Sequence, residues 1–279
     1  MIATSTDTDV PPARPAATVM LIRDADAGAG DARGPGLEVF VLRRAAAAAF
    51  AGGFYVFPGG KVDPADGGEA IEPLSAGLDD EAASAALGIE RGGLAYWVAA
   101  IRECFEEAGV LLARGRDGSP PAPRHADREK VHSGELALVD LCRRDDLVLD
   151  TAAIRYVAHW VTPVEERPRR FDTRFFLAAA PADQDGRHDD GETVDSRWVR
   201  PAEALDEAEA GDLMLLPPTI STLRFLAGCS TVKEAFAQAA AAGPPPRILP
   251  TLQYDEAGNV VGVSAGPAGE FSVGLRPNR

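Results

Sequence analysis

Apolar and polar positions along the 279-residue chain alternate between two periods. Residues Ala17 to Arg23 and Leu37 to Arg43 are apolar and β-branched and flank a Gly-, Ala- and Asp-rich stretch over 24–36, which predicts two early strands and a long connection. A short aromatic run, Gly53 to Phe57, leads into Phe57-Pro58-Gly59-Gly60, where Pro and paired Gly predict a turn with exposed backbone. Residues 61–93 read as an irregular acidic insert with one short helix near Asp79 to Leu87. From Leu94 to Glu107 the period becomes helical: Val98, Ile101, Cys104, Phe105 and Ala108 share one side, Glu103, Glu106 and Glu107 the other, and Gly109 is placed to end the helix.

A second insert over 114–150 begins as a loop, GRDGSPPAPRHAD, and continues as a helix from Glu135 to Arg143. Ile154 to Thr162 and Phe171 to Ala180 predict two more strands, and Arg197 to Val199 a shorter one. Helices are expected over Pro201 to Ala210, Thr219 to Ala227 and Thr231 to Ala241, followed by a hairpin about Gly258-Asn259. Residues 1–16 carry no core pattern and are expected to form a flexible tail ahead of one elaborated domain over 17–279. Its C-terminal helical and hairpin extension starts near 212.

Composition narrows the classes. A chain that is 46% hydrophobic and 25% charged folds as a globule, and its apolar runs fall far short of the roughly 20 residues that span a bilayer. No basic, apolar secretory leader opens the sequence, so the cytoplasm is the expected compartment. Cys104, Cys142 and Cys229 are odd in number and widely spaced, which predicts buried thiols instead of disulfides or zinc ligands. Net charge of −15 without a basic block argues against duplex nucleic acid as a partner. A small anionic substrate remains compatible, because a carboxylate-bound cation reverses the local field. Oligomeric state is left open, a homodimer included.

The segment Arg102-Glu103-Cys104-Phe105-Glu106-Glu107-Ala108-Gly109-Val110 places three carboxylates on one helix face at i, i+3 and i+4. That spacing fits the solvated face of an amphipathic helix; it equally fits hard oxygen ligands for Mg²⁺ or Mn²⁺. Together with the upstream Phe57-Pro58-Gly59-Gly60-Lys61 it resembles the nudix hydrolase signature G-x5-E-x7-R-E-U-x-E-E-x-G-U. The second half matches from Arg102 to Val110, with Cys104 at an aliphatic position, and the first half begins at Gly60. The family's first glutamate falls on Asp66, and 35 residues instead of seven separate it from Arg102, so an insert opens the motif.

A split motif of this kind is similar to the coenzyme A diphosphatase-like branch of the family. Pro168 to Phe176 and Leu216-Pro217-Pro218-Thr219 add to that likeness. The branch's upstream pattern is met at Arg43 and Gly53, but Ala45 to Phe50 lacks its second basic residue. The resemblance implies an α/β fold: a mixed sheet in an α/β/α sandwich, with inserts and C-terminal helices around one edge. It also implies divalent-metal-dependent hydrolysis of a nucleoside diphosphate linked to another group, coenzyme A or acyl-coenzyme A among them. Glu106 and Glu107 would be Mg²⁺ or Mn²⁺ ligands, Glu103 a ligand or the base that deprotonates water, and Glu192 an additional ligand. Arg102 would pair with a nearby acid to fix the helix, while Gly59 and Gly60 would let backbone approach metal and phosphate. Arg43 and Arg174, with Arg44, Arg169 and Arg170, are candidates to grip phosphates because guanidinium binds them bidentately. The four histidines show no ligand spacing and are given no role. Alternatives are a pyrophosphatase for ADP-ribose, dinucleotides or nucleotide sugars, and a catalytically silent nucleotide-binding module.

Overall fold

The computed structural model describes residues 12–25, 34–48, 51–121, 125–166 and 170–272. In chain order its strands are β1 (Arg14–Ala25), β2 (Gly36–Arg44), β3 (Tyr55–Val56), β4 (Gly59–Lys61), β5 (Ala113–Gly115), β6 (Leu147–Leu149) and β7 (Arg155–Val161). They continue with β8 (Phe171–Ala179), β9 (Thr193–Val199), β10 (Arg247–Ile248), β11 (Thr251–Tyr254), β12 (Val260–Ser264) and β13 (Glu270–Ser272). The helices are α1 (Asp80–Leu87), α2 (Leu94–Ala108), α3 (His125–His132), α4 (Leu138–Arg144), α5 (Pro201–Ala210), α6 (Pro217–Leu226) and α7 (Val232–Ala242).

β1 is the seam of a mixed eight-stranded sheet ordered β10-β7-β8-β1-β2-β3, with β4 also on β1 and β9 also on β2. It runs parallel to β8 and antiparallel to β2 and β4. β1 also begins earlier than its apolar pattern, because Arg14, Pro15 and Ala16 pair with Phe171, Asp172 and Thr173. Backbone pairing asks nothing of side-chain polarity, so residues expected in the tail extend the sheet. The remainder of that tail, 1–11, lies outside the described residues, as does Arg169.

Successive side chains of β1 enter opposite cores. Ala17, Val19 and Leu21 pack with Val98, Ile101, Cys104 and Phe105 of α2, while Met20 and Ile22 pack with Leu223 and Leu226 of α6 and Ala235 of α7. The C-terminal helices therefore cover the second face of the sheet. They were expected around an edge, but the apolar outer face that β1, β2 and β8 expose needs a full layer to bury it. The terminal hairpin gains a third strand, β13, and Phe271 joins that second core.

Gly59 and Gly60 form a strand instead of the expected turn, since β4 pairs with β1 at Thr18 and Ala17. What they supply is space. A β-carbon on Gly59 would lie 2.5 Å from Thr18 Oγ1 and 2.6 Å from the Ala17 carbonyl oxygen. The second insert also holds an unforeseen helix, α3, which starts at the end of the loop-like GRDGSPPAPRHAD run. Cys104 and Cys142 are buried free thiols; Cys229 is only half-buried, with Sγ 3.3 Å from Gln238 Oε1. Among the described residues no helix is long and apolar enough to cross a membrane.

Candidate active site

The first insert builds one end of the site. Helix α1 is capped by Asp79, whose carboxylate accepts from the Ala82 N–H at 2.8 Å, and ends at Gly88 in the left-handed region. Helix α2 starts without a side-chain cap of its own. Its starting amides are served from α1: Asp80 accepts from the Gly92 and Leu94 N–H groups at 2.8 and 3.0 Å, and Ser84 Oγ accepts from Gly93 at 2.9 Å. The insert thus anchors the helix that carries Arg102, Glu103, Glu106 and Glu107.

Arg102 closes the split motif. Its Nε and Nη2 donate to the two oxygens of buried Asp66 at 2.8 and 3.0 Å, and Nη2 also donates to the Lys61 carbonyl at 2.8 Å. Two positions 36 apart in sequence are in bidentate contact, so the insert leaves and re-enters the motif at one place. Nη1 of Arg102 reaches Glu103 Oε1 at 2.9 Å and Glu106 Oε2 at 3.0 Å. Glu107 Oε2 accepts from the Gly59 N–H at 2.9 Å. A β-carbon on Gly60 would approach Glu103 Oε1 to 2.4 Å, so glycine lets β4 lie directly against this carboxylate.

The glutamates are not a solvated face, because Glu106 is 9% and Glu107 3% exposed. Burial pushes the Glu107 carboxyl up to about 8; the Glu103 charge adds to this, and the Gly59 amide and Arg44 oppose it. Burial likewise raises Glu103 to about 7 against the pull of Arg102, with Glu106 adding to the rise. Glu106 is raised to about 7 by burial against the same arginine. Burial alone would lower the Arg102 pKa, but its bonds to Asp66 and the Glu103, Asp66 and Glu106 charges outweigh this and raise it.

One guanidinium therefore faces more buried carboxylates than it can neutralise. Each of Glu103, Glu106 and Glu107 keeps one oxygen that accepts no hydrogen bond from the described residues. Among the described residues no three acidic, His or Cys side chains converge as a ready-made metal cage. Nevertheless, surplus negative charge and spare hard oxygens on a rigid helix fit a divalent cation such as Mg²⁺ or Mn²⁺.

Glu192 enters from the β8–β9 loop. Its carboxylate is 3.7 Å from Arg44, and its charge adds to the upward shift of Glu107. Arg43 is half-exposed and lies 3.9 Å from Asp195. Arg174 is buried and does not join the glutamates: it pairs with Asp172 and His159, and its guanidinium lies 5.5 Å from the Tyr96 ring centre. The register sets Arg174 opposite Ala17, itself opposite Gly60, two strand spacings or roughly 10 Å across the sheet. His159, assigned no role from spacing, is the partner that only folding brings to Arg174. Arg170 instead donates to the Thr162 carbonyl. Sequence reasoning also passed over Arg128, which donates to the Glu106 and Glu107 carbonyls from α3 at 2.9 and 2.8 Å. Its only sequence signal was a basic residue just past the loop-like GRDGSPPAPRHAD run.

Residues 78–226 match the NUDT19 Nudix domain family, slightly more than half of the chain. The chain belongs to the nudix hydrolase family. Among curated relatives, the acyl-coenzyme A diphosphatase NUDT19 of Gallus gallus is 28% identical, over 79% of this chain and 70% of its own length. The protein of the same name in Homo sapiens is 32% identical, over 50% of this chain and 41% of its own. A crystal structure of a nudix hydrolase from Alicyclobacillus acidocaldarius superposes with a TM-score of 0.66 at 31% identity. That superposition covers 81% of this chain and 96% of the bacterial one. Nudix membership accounts for the α/β architecture and for the preserved second half of the motif on α2, while the insert between Asp66 and Arg102 leaves their pairing intact.

Proposed function

We propose that this nudix hydrolase cleaves the phosphate anhydride of coenzyme A or its acyl thioesters, with a divalent metal ion held by Glu103, Glu106, Glu107 and Glu192. The observation that carries the reading is the set of three glutamates on α2, Glu106 and Glu107 buried and Glu103 half-buried against Gly60, to which Arg102 is the one side chain hydrogen-bonded among the described residues. The name shared by the two relatives, acyl-coenzyme A diphosphatase, supports the choice of substrate. When bound, Mg²⁺ or Mn²⁺ would neutralise charge on the phosphate oxygens and lower the pKa of a water molecule.

The chain's own groups would do the rest. Glu103, through its unbonded Oε2, would either hold the metal or accept the proton of the attacking water. Arg102 holds Glu103 and Glu106 in place and ties both to Asp66 and β4. Having no side chains, Gly59 and Gly60 would let the β4 backbone approach metal and phosphate. Arg43 would contact that phosphate from the rim, while Arg174 would reach it only by exchanging Asp172 for the ligand.

The test is Mg²⁺- or Mn²⁺-dependent product release from coenzyme A, acyl-coenzyme A, ADP-ribose and NADH, comparing wild type with Glu107→Gln. We expect hydrolysis of the coenzyme A compounds and a loss of about 100-fold or more in the variant. Preference for ADP-ribose or NADH would keep the site and replace the substrate. No metal-dependent hydrolysis of any member would point to a silent binding module.

A further inference from the structure

We propose that Arg128 is a positioning residue of this active site, setting Glu107 and Glu192 into one cation-binding arrangement. The inference rests on the metal-dependent reading above. The last carbonyls of a helix have no intrahelical donors, and here each is accounted for. The Val110 and Gly109 N–H groups donate to Cys104 and Phe105 at 3.4 and 3.0 Å. Arg128 Nε and Nη2 donate to Glu106 and Glu107 at 2.9 and 2.8 Å, and the Arg187 N–H donates to Ala108 at 2.8 Å. The remaining Arg128 nitrogen, Nη1, donates to the His188 carbonyl at 3.2 Å.

One guanidinium therefore ties the backbone of the two glutamates to the loop that carries Glu192. Within that loop Asp189 accepts from the Glu192 and Thr193 N–H groups at 3.0 and 2.8 Å, and His132 of α3 lies 4.0 Å from Asp189. The carbonyl end of α2 carries partial negative charge in the same turn as Glu106 and Glu107, so a cation there also offsets repulsion. Gly109 is bound into the same arrangement. It is left-handed, and a β-carbon on it would lie 3.2 Å from Arg128 Nη1. Lysine cannot replace this planar fork, since one ammonium does not span three carbonyls from two segments.

The experiment compares wild type, Arg128→Met, Arg128→Lys and Arg144→Met as full-length chains. Arg144 pairs with Asp127 of α3 at 2.7 Å and, among the described residues, makes no hydrogen bond or ion pair with α2 or the Glu192 loop, so its variant loosens α3 without removing the tie. Mn²⁺ binding is read by calorimetry without substrate, beside kcat, KM and the metal-free melting temperature. We expect Arg128→Met to weaken Mn²⁺ binding by about 10-fold or more and to raise the metal needed for half-maximal activity equally. KM at saturating metal should change less than about 3-fold, and Arg128→Lys should recover only part of the loss. Unchanged Mn²⁺ binding in both Arg128 variants overturns the proposal, as does an equal weakening in Arg144→Met at matched loss of melting temperature. Wild type that binds no Mn²⁺ overturns the metal-dependent reading itself and this inference with it.

Discussion

Glu107 sits 3% exposed beneath the Gly59 amide, a place where a lone carboxylate is held only against a desolvation cost. Its carboxyl at about 8, with Glu103 and Glu106 at about 7, makes the metal-free fold sensitive to pH. These values lie above the ordinary 4.5, so between about 4.5 and 8 the folded state binds more protons than the unfolded chain. Their contribution to the stability of the metal-free protein should then be fully present below that window and be lost as pH rises through it. Thermal melts in EDTA from pH 5.5 to 8.5 check the sign; a melting temperature that climbs across this range would contradict the burial argument. Binding a divalent cation requires ionised carboxylates and releases protons. Added Mn²⁺ should therefore raise the melting temperature more at pH 8 than at pH 6. For the same reason Glu107→Gln, expected to remove activity, should leave metal-free stability at pH 8 unchanged or increased.

β4 and α2 work as a pair of facing elements, and the two glycines of β4 have different neighbours. Gly59 is crowded by the β1 backbone at Ala17 and Thr18, whereas Gly60 is crowded by the Glu103 side chain. Gly59→Ala must displace main chain and should cost about 1–3 kcal/mol of stability. Gly60→Ala displaces a carboxylate instead; stability should change less, while metal binding and turnover fall. Denaturant midpoints and Mn²⁺ titrations of the two variants separate these outcomes, and equal stability losses would show that Glu103 does not move. Helical period and motif made α2 legible from its residues, because one face is continuously apolar. The turn expected at Gly59-Gly60 was misplaced because glycine signals either backbone freedom or lack of room, and only the packed neighbours distinguish them. Helix α3 was missed because its sequence, HADREKVH, has almost no apolar stripe and is held by polar contacts such as Arg128 to α2.

At the scale of the whole molecule, the sheet separates a core that supports the active-site helix from a core under the C-terminal helices. Ile101 and Leu223 are both fully buried, one in each. Ile101→Ala and Leu223→Ala should each cost about 2–5 kcal/mol. Only Ile101→Ala, which lies beside Arg102 on α2, should also shift the metal dependence of activity. Parallel denaturation and activation curves test this; an equal shift in Leu223→Ala would mean that the two layers are more tightly coupled than the sheet suggests.

The residues by themselves determined the strand and helix periods and the three glutamates on one helix, because each is a local property of spacing and composition, while the resemblance to the nudix signature added Asp66 and the insert beside it. Tertiary structure decided that Glu106 and Glu107 are buried, that Asp66 pairs with Arg102 across the insert, and that Arg174 is taken up by Asp172 and His159. It also decided that Arg128 closes the end of α2. Burial and long-range hydrogen bonds depend on which distant segments meet, and a polar residue's own neighbours in sequence carry no record of that meeting.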